Sequence, residues 1–244
     1  MSDTYYAGCY WPARHETAGQ CALRAEDFFR RLGSWEPAWS RWHETARSFE
    51  KARKLQASTD AAAFVKLFQR KKNRVGDGYS LWLWAGNQPT ETTSVDAYCG
   101  ASSPWSTPHS CVLKPPTQGP IAERTRSASA LAEVVRAMAL AWEPEWGIAT
   151  SEQHRDSAWQ RPAVGTFTGW VMYFSRQRGT VPALPAPVRL EHIEGRGTLV
   201  ILTPERFTAV NPEHIALAAR VHALLSEAGM LHPLRSPGAP QGGE

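Results

Sequence analysis

Tyr79-Ser-Leu-Trp-Leu-Trp-Ala85, followed by Thr93-Ser-Val-Asp-Ala-Tyr98 and Ser110-Cys-Val-Leu113, decides the fold. The runs are short, rich in aromatic and β-branched residues and separated by polar turns, which reads as three strands of an antiparallel meander. Upstream, Gly76-Asp77-Gly78 breaks the chain. Before that break Thr59 or Asp60 can cap a helix carrying Phe64, Leu67 and Phe68, and Pro37 opens a helical segment with Trp39, Trp42 and Phe49. Nearer the start, Thr17 with Gln20 forms a capping box for a helix whose apolar stripe is Cys21, Ala25, Phe28, Phe29 and Leu32 and whose end is Gly33. Thr4 to Trp11 reads as a strand with at least one buried face, ended by Pro12.

Downstream, Ser127 to Trp142 is helical by period, with Leu131, Val134, Val135, Met138 and Trp142 on one stripe and Pro144 as the stop. A less regular stretch follows. Phe167 to Phe174 then reads as a buried strand, and Val188 to Ile193 with Thr198 to Leu202 as a hairpin around Glu194-Gly-Arg-Gly197. In the last helix Asn211 caps, Pro212 takes the first position, Leu217, Val221, Leu224, Leu225 and Ala228 form the stripe, and Gly229 closes. The Pro-rich run Gly179 to Pro187 is short enough to be a loop within one domain. The expectation is an α+β fold, a mainly antiparallel sheet covered by helices, in a single domain over residues 1–235, with 236–244 as a disordered tail.

Composition excludes several classes. At 42% hydrophobic and 20% charged residues the chain is expected to pack a core. No run approaches the roughly 18 apolar residues of a membrane helix, and the start lacks a basic region followed by an apolar one, so a cytoplasmic protein is expected. Cys9, Cys21, Cys99 and Cys111 lie far apart without a Cys-x-x-Cys pair, which favours buried free thiols over a zinc ribbon or redox motif. The net charge of +4 conceals a concentration: eight basic residues and one acid fall in 51–74, while the remainder is slightly acidic. That window is either a solvated helix face or a patch for an acidic partner or nucleic acid, with Lys66, Arg70, Lys71, Lys72 and Arg74 as phosphate contacts.

Catalytic spacings are missing from the sequence. No histidine pair has the spacing of a metalloprotease helix, and His214 with His222 lacks a third metal ligand at a fixed distance. There is no Gly-x-Ser-x-Gly elbow, Gly195-x-Gly197 lacks the third glycine of a dinucleotide loop, and no Glu-x-Lys of a restriction-type nuclease occurs. The chain is read as a non-enzyme with no catalytic, cofactor-binding or metal-binding residue, working by binding another protein.

A resemblance sharpens that reading. Tyr5-Tyr6-x-Gly8-x-Tyr10-Trp11-x-x-Arg14-x-Glu16 and Cys21-Ala22-x-Arg24 open a pattern that continues through Trp142-x-Pro144-x-Trp146-Gly147, Ser151 and Gly169-Trp170-x-x-Tyr173. It ends with Gly197-Thr-Leu-Val-Ile201, Asn211-Pro212-x-His214 and Gly229-Met-Leu231. Together these resemble the immunity protein 52 family from about Tyr5 to Leu231. The resemblance implies a bacterial polymorphic-toxin or type VI secretion immunity protein. It would neutralise a restriction-endonuclease-like nuclease toxin encoded beside it, using no cofactor, no membrane and no direct nucleic-acid contact. A sequence pI near 9.0 disfavours DNA mimicry, which leaves the active site plugged by the basic window or the toxin capped away from its DNA groove.

Two segments are candidate toxin contacts. In the loop Ser102-Ser-Pro-Trp105-Ser-Thr-Pro-His109, Trp105 and His109 sit in a Ser/Pro setting with little to pack on; Arg155, Asp156 and Trp159 are the second group. Each stands against the plainer reading of a loop residue folded back on its own domain. A non-catalytic nucleic-acid binder using 51–74 is the alternative function.

Overall fold

The meander strands are the middle of a much larger sheet. The structure, a computed structural model, describes residues 3–103, 108–160 and 162–234. Among them are eleven strands: β1 (Tyr5–Trp11), β2 (Trp42–Glu44), β3 (Gln56–Ala57), β4 (Arg74–Val75), β5 (Gly78–Ala85), β6 (Thr93–Cys99), β7 (His109–Lys114), β8 (Trp146–Ser151), β9 (Val171–Ser175), β10 (Arg189–Ile193) and β11 (Gly197–Ile201). The helices are α1 (Ala18–Trp35), α2 (Phe49–Ala52), α3 (Ala61–Gln69), α4 (Gly119–Thr125), α5 (Ala128–Trp142), α6 (Glu152–Trp159) and α7 (Pro212–Glu227). The strands join in the order β10-β11-β9-β8-β1-β7-β6-β5-β2-β3, with β4 also on β5, and every pairing is antiparallel. The result is one α+β domain built on a single antiparallel sheet.

Local chemistry starts the helices where the sequence places them. Thr17 accepts from the Gln20 amide while the Gln20 side chain accepts from the Thr17 amide, a complete capping box, and Asp60, Ser127 and Asn211 cap α3, α5 and α7. The stripes of α1 and α5 are buried as read, and α1 runs two residues past Gly33 to Trp35. On one face of the sheet they meet alternate strand residues. Trp11 stacks on Trp142 with centroids 5.4 Å apart, and Phe28 lies beside the same indole at 6.4 Å. Cys9 and Cys111 stand directly opposite each other beneath this layer, and all four cysteines are buried and free.

Several expectations need correcting. Residues from Pro37 do not form one helix: a 3-10 turn over Pro37–Ser40 is followed by β2, and only Phe49–Ala52 is α-helical. Edge pairing with β3 and β5 outweighs the weak helical period, because the backbone of 42–44 gains hydrogen-bond partners there. The irregular stretch after Pro144 contains β8, a central strand buried at all six positions. A strand covered on both faces shows no alternation to read. Ser151 then caps α6, and α4 is a further helix that no sequence signal marked.

The strand expected from Phe167 pairs only from Val171, since Gly169 carries 167–170 tightly over Ile148, where an added Cβ would lie 2.7 Å from its side chain. In α7 the buried stripe is His214, Ala218, Val221 and Leu225, while Ala228 is exposed. His214 turns inward because its ring stacks on Phe207 at 5.2 Å and its Nδ1 accepts from the Thr208 amide at 3.1 Å. The tail expectation for 236–244 lies outside the described residues. No described helix is long and apolar enough to cross a membrane.

Candidate functional site

The second face of the sheet is covered unevenly. Over β8 and β9 it is closed by α6, α7 and the 162–170 segment, through Trp159 on His222 (4.1 Å), His154 on Phe207 (4.8 Å) and Phe167 on Trp146 (5.1 Å). Over β5, β6 and β7 no described helix covers it. Strand alternation there presents Ser80, Trp82, Ser94, Asp96, Tyr98, Ser110, Val112 and Lys114 outward, all exposed or half-buried, while Leu81, Leu83, Val95, Ala97, Cys111 and Leu113 point into the helix-covered core. Trp82 is 61% exposed. Register places Trp82 opposite Asp96 and Asp96 opposite Val112, so the three form one row across three strands.

Aromatic residues border this face at both ends. At one end Trp84 is clamped between His43 (4.9 Å) and Phe49 (5.0 Å), and its Nε1 donates to the Glu44 carbonyl at 3.1 Å. At the other end β1 carries Tyr6 and Tyr10 into a cleft of about 670 Å³ that Arg155, Asp156, Val164 and Phe167 complete. Gly8 is the small residue that makes this possible, because a Cβ there would sit 2.7 Å from the Tyr10 hydroxyl. The Tyr10 ring folds over it and continues to Trp146 at 5.7 Å.

α6 is held by two inward residues, His154 and Trp159, which leaves Arg155 and Asp156 at the cleft. Arg155 Nε donates to Asp156 Oδ1 at 2.7 Å, and the guanidinium lies 5.4 Å from the centre of the Tyr6 ring. Burial pushes the Tyr6 hydroxyl up to about 12 despite the opposing pull of Arg155, so it remains a neutral donor at physiological pH. Asp96 is also pushed above the ordinary carboxylate range by desolvation.

The sequence-chosen residues therefore separate. Arg155 and Asp156 come together on the surface. Trp159 packs α6 on α7 instead of facing outward. His109 is not a loop residue: it begins β7, is fully buried and accepts from the Ala101 amide at 3.2 Å through Nε2, because the core side of β7 claims its ring. Trp105 lies outside the described residues. Trp82, Asp96, Tyr6 and Tyr10 were overlooked, although the alternation in Tyr79–Ala85 already put Trp82 on the face opposite Leu81 and Leu83.

The basic window is spread over α2, α3 and the segments beside them. Arg70 and Lys72 both bond Glu44, at 2.6 and 3.0 Å; burial pushes that carboxyl up, but the two cations outweigh it and hold it below its usual range. Arg53 and Arg74 lie over Phe49 and Tyr79 at 5.9 and 5.4 Å. Two cations of the window are thus engaged by one acid and two are laid on rings. Among the described residues no group of three or more His, Cys, Asp or Glu side chains is placed to hold a metal ion.

The sequence over residues 3–234 matches the family model described as Immunity protein 52. No curated protein matches.

Proposed function

Because the chain belongs to the immunity protein 52 family, whose members are generally non-catalytic and neutralise a cognate polymorphic toxin by binding it, we propose that its target is a nuclease of the restriction-endonuclease-like class, delivered by a type VI secretion system. Neutralisation is stoichiometric, one immunity protein per toxin domain. The family match over nearly the whole chain carries this reading, and the nuclease class comes from what kinship with the family implies. The excess of basic residues supports capping the toxin away from its DNA groove, or plugging its acidic metal site, over imitation of DNA.

Of the residues singled out from sequence, Arg155 and Asp156 are proposed as contacts at the cleft rim, and Trp105, which lies in sequence between β6 and β7, as a further contact. Trp159 is proposed to act by holding α6 in place. The test is calorimetric titration against the nuclease domain encoded by the adjacent gene, with DNA cleavage followed in the same mixtures at low and high salt. Saturable nanomolar binding that stops cleavage at one equivalent is the expected result. Absence of binding overturns the reading and turns attention to nucleic acid, whose affinity for 51–74 would fall steeply with salt.

A further inference from the structure

The open face of β5, β6 and β7 holds a combination that isolated domains rarely leave in water. Trp82 is 61% exposed, and a large indole on a flat sheet face is the kind of side chain that dominates binding energy once a partner covers it. Directly across from it stands Asp96, a carboxylate with no ion pair or hydrogen bond among the described residues, flanked on its other side by Val112. A strand residue of this type is unusual, since aspartate is disfavoured in strands and gains nothing from these two neighbours. Burial of the face under a neutral surface would strand the charge, so a compensating cation is the partner group that fits it best.

Geometry selects the cation further. Because Trp82 and Asp96 are direct cross-strand neighbours, a guanidinium or ammonium meeting Asp96 comes within reach of the indole, where a charge-assisted hydrogen bond and a cation–π contact can form together. An arginine satisfies both because its planar fork can pair with the carboxylate while its flat face lies on the indole. Around the row, Ser80, Ser94 and Ser110 are small, Trp84 and Tyr98 are the large neighbours, and Lys114, the cation on the same face, is already paired with Glu152 at 2.8 Å. The Tyr6 and Arg155 cleft continues the surface across β1, since Tyr10 pairs with Ser110.

We propose that the cognate toxin docks on the outer face of β5–β6–β7 and anchors there through a basic side chain, an arginine or lysine, seated between Asp96 and Trp82. This rests on the reading of the chain as a toxin-binding immunity protein and adds the surface and the chemistry of the toxin's contact.

The experiment titrates the full-length protein and its variants into the toxin domain by calorimetry. Asp96→Arg is expected to weaken binding by at least about 100-fold, and Asp96→Asn and Trp82→Ala by about 10-fold or more. Leu23→Arg, at an equally exposed apolar residue of α1 on the other side of the sheet, should bind as the wild type does. Melting curves identify any variant that fails to fold, and Asp96→Asn, which keeps the shape of the side chain, carries the test if Asp96→Arg is lost. Wild-type affinity in folded Asp96→Asn and Trp82→Ala overturns the docking surface while leaving the immunity function standing. Failure of the wild-type protein itself to bind overturns both.

Discussion

Arg178 is fully buried and donates from Nε to Glu145 Oε1 at 2.9 Å, while its Nη1 donates to the carbonyls of Gly165 at 3.0 Å and Met230 at 2.9 Å. One guanidinium thus ties the loop before β8, the 162–170 segment and the segment just after α7 to one another. Replacing it with methionine leaves Glu145 with a lost partner and two carbonyls unpaired. Arg178→Met is expected to cost about 3–5 kcal/mol in urea unfolding. Since Val164 and Phe167 line the Tyr6 cleft, the same variant should also weaken toxin binding, whereas a purely local defect would leave affinity unchanged.

Gly197 starts β11 against β9, and a Cβ built there would fall 2.1 Å from the Phe174 carbonyl oxygen. That neighbour is backbone inside a paired strand and cannot swing aside. Gly197→Ala should therefore destabilise the fold by about 1–3 kcal/mol or more, read as a lowered melting midpoint, although alanine is the smallest possible change.

Burial holds the His109 imidazole down to about 4, with the nearby Arg14 cation pushing the same way. The unfolded chain takes up this proton near the ordinary value of 6.5, so the folded state binds fewer protons between the two values. Stability is complete above pH 6.5 and falls as pH drops towards 4, by up to about 1.4 kcal/mol per unit for this one residue. His109→Gln, which keeps an acceptor for the Ala101 amide, should flatten that slope in urea midpoints compared at about pH 7.5 and about pH 5. His154 is depressed by burial too, so a shallower slope in the same direction should persist.

Arg155 and Trp159 share α6 but should fail differently. Arg155→Ala removes the cation over Tyr6 at the cleft and is expected to lower toxin affinity about 10-fold with little change in melting, because the residue is partly exposed. Trp159→Ala removes the ring packed on His222 and should lower stability by about 1–3 kcal/mol. Calorimetry and thermal melting on the two variants separate contact from support.

Legibility in the sequence followed the range of the interactions involved. The capping box of Thr17 and Gln20, a cap at Thr59 or Asp60 that the structure gives to Asp60, the cap at Asn211, the stripes of α1 and α5 and the meander were readable because each depends on residues within a few positions of one another. The likeness to the immunity protein 52 family was readable for another reason: the order of its aromatic and glycine positions is itself linear. By contrast β8 hid because burial on both faces erases alternation, and His109 was misplaced because its Ser/Pro neighbours resemble a loop while its ring belongs to the core.

By itself, then, the sequence determined the α+β class, the starts of α1, α3, α5 and α7 and the kinship. The tertiary structure alone decided which half of the second sheet face stays open and which side chains meet on it. Trp82 and Asp96 are neighbours through strand register, and Tyr6 and Arg155 through the packing of α6 over β1. Such pairs are set by how distant segments stack and align, and no propensity of the residues themselves encodes that distance.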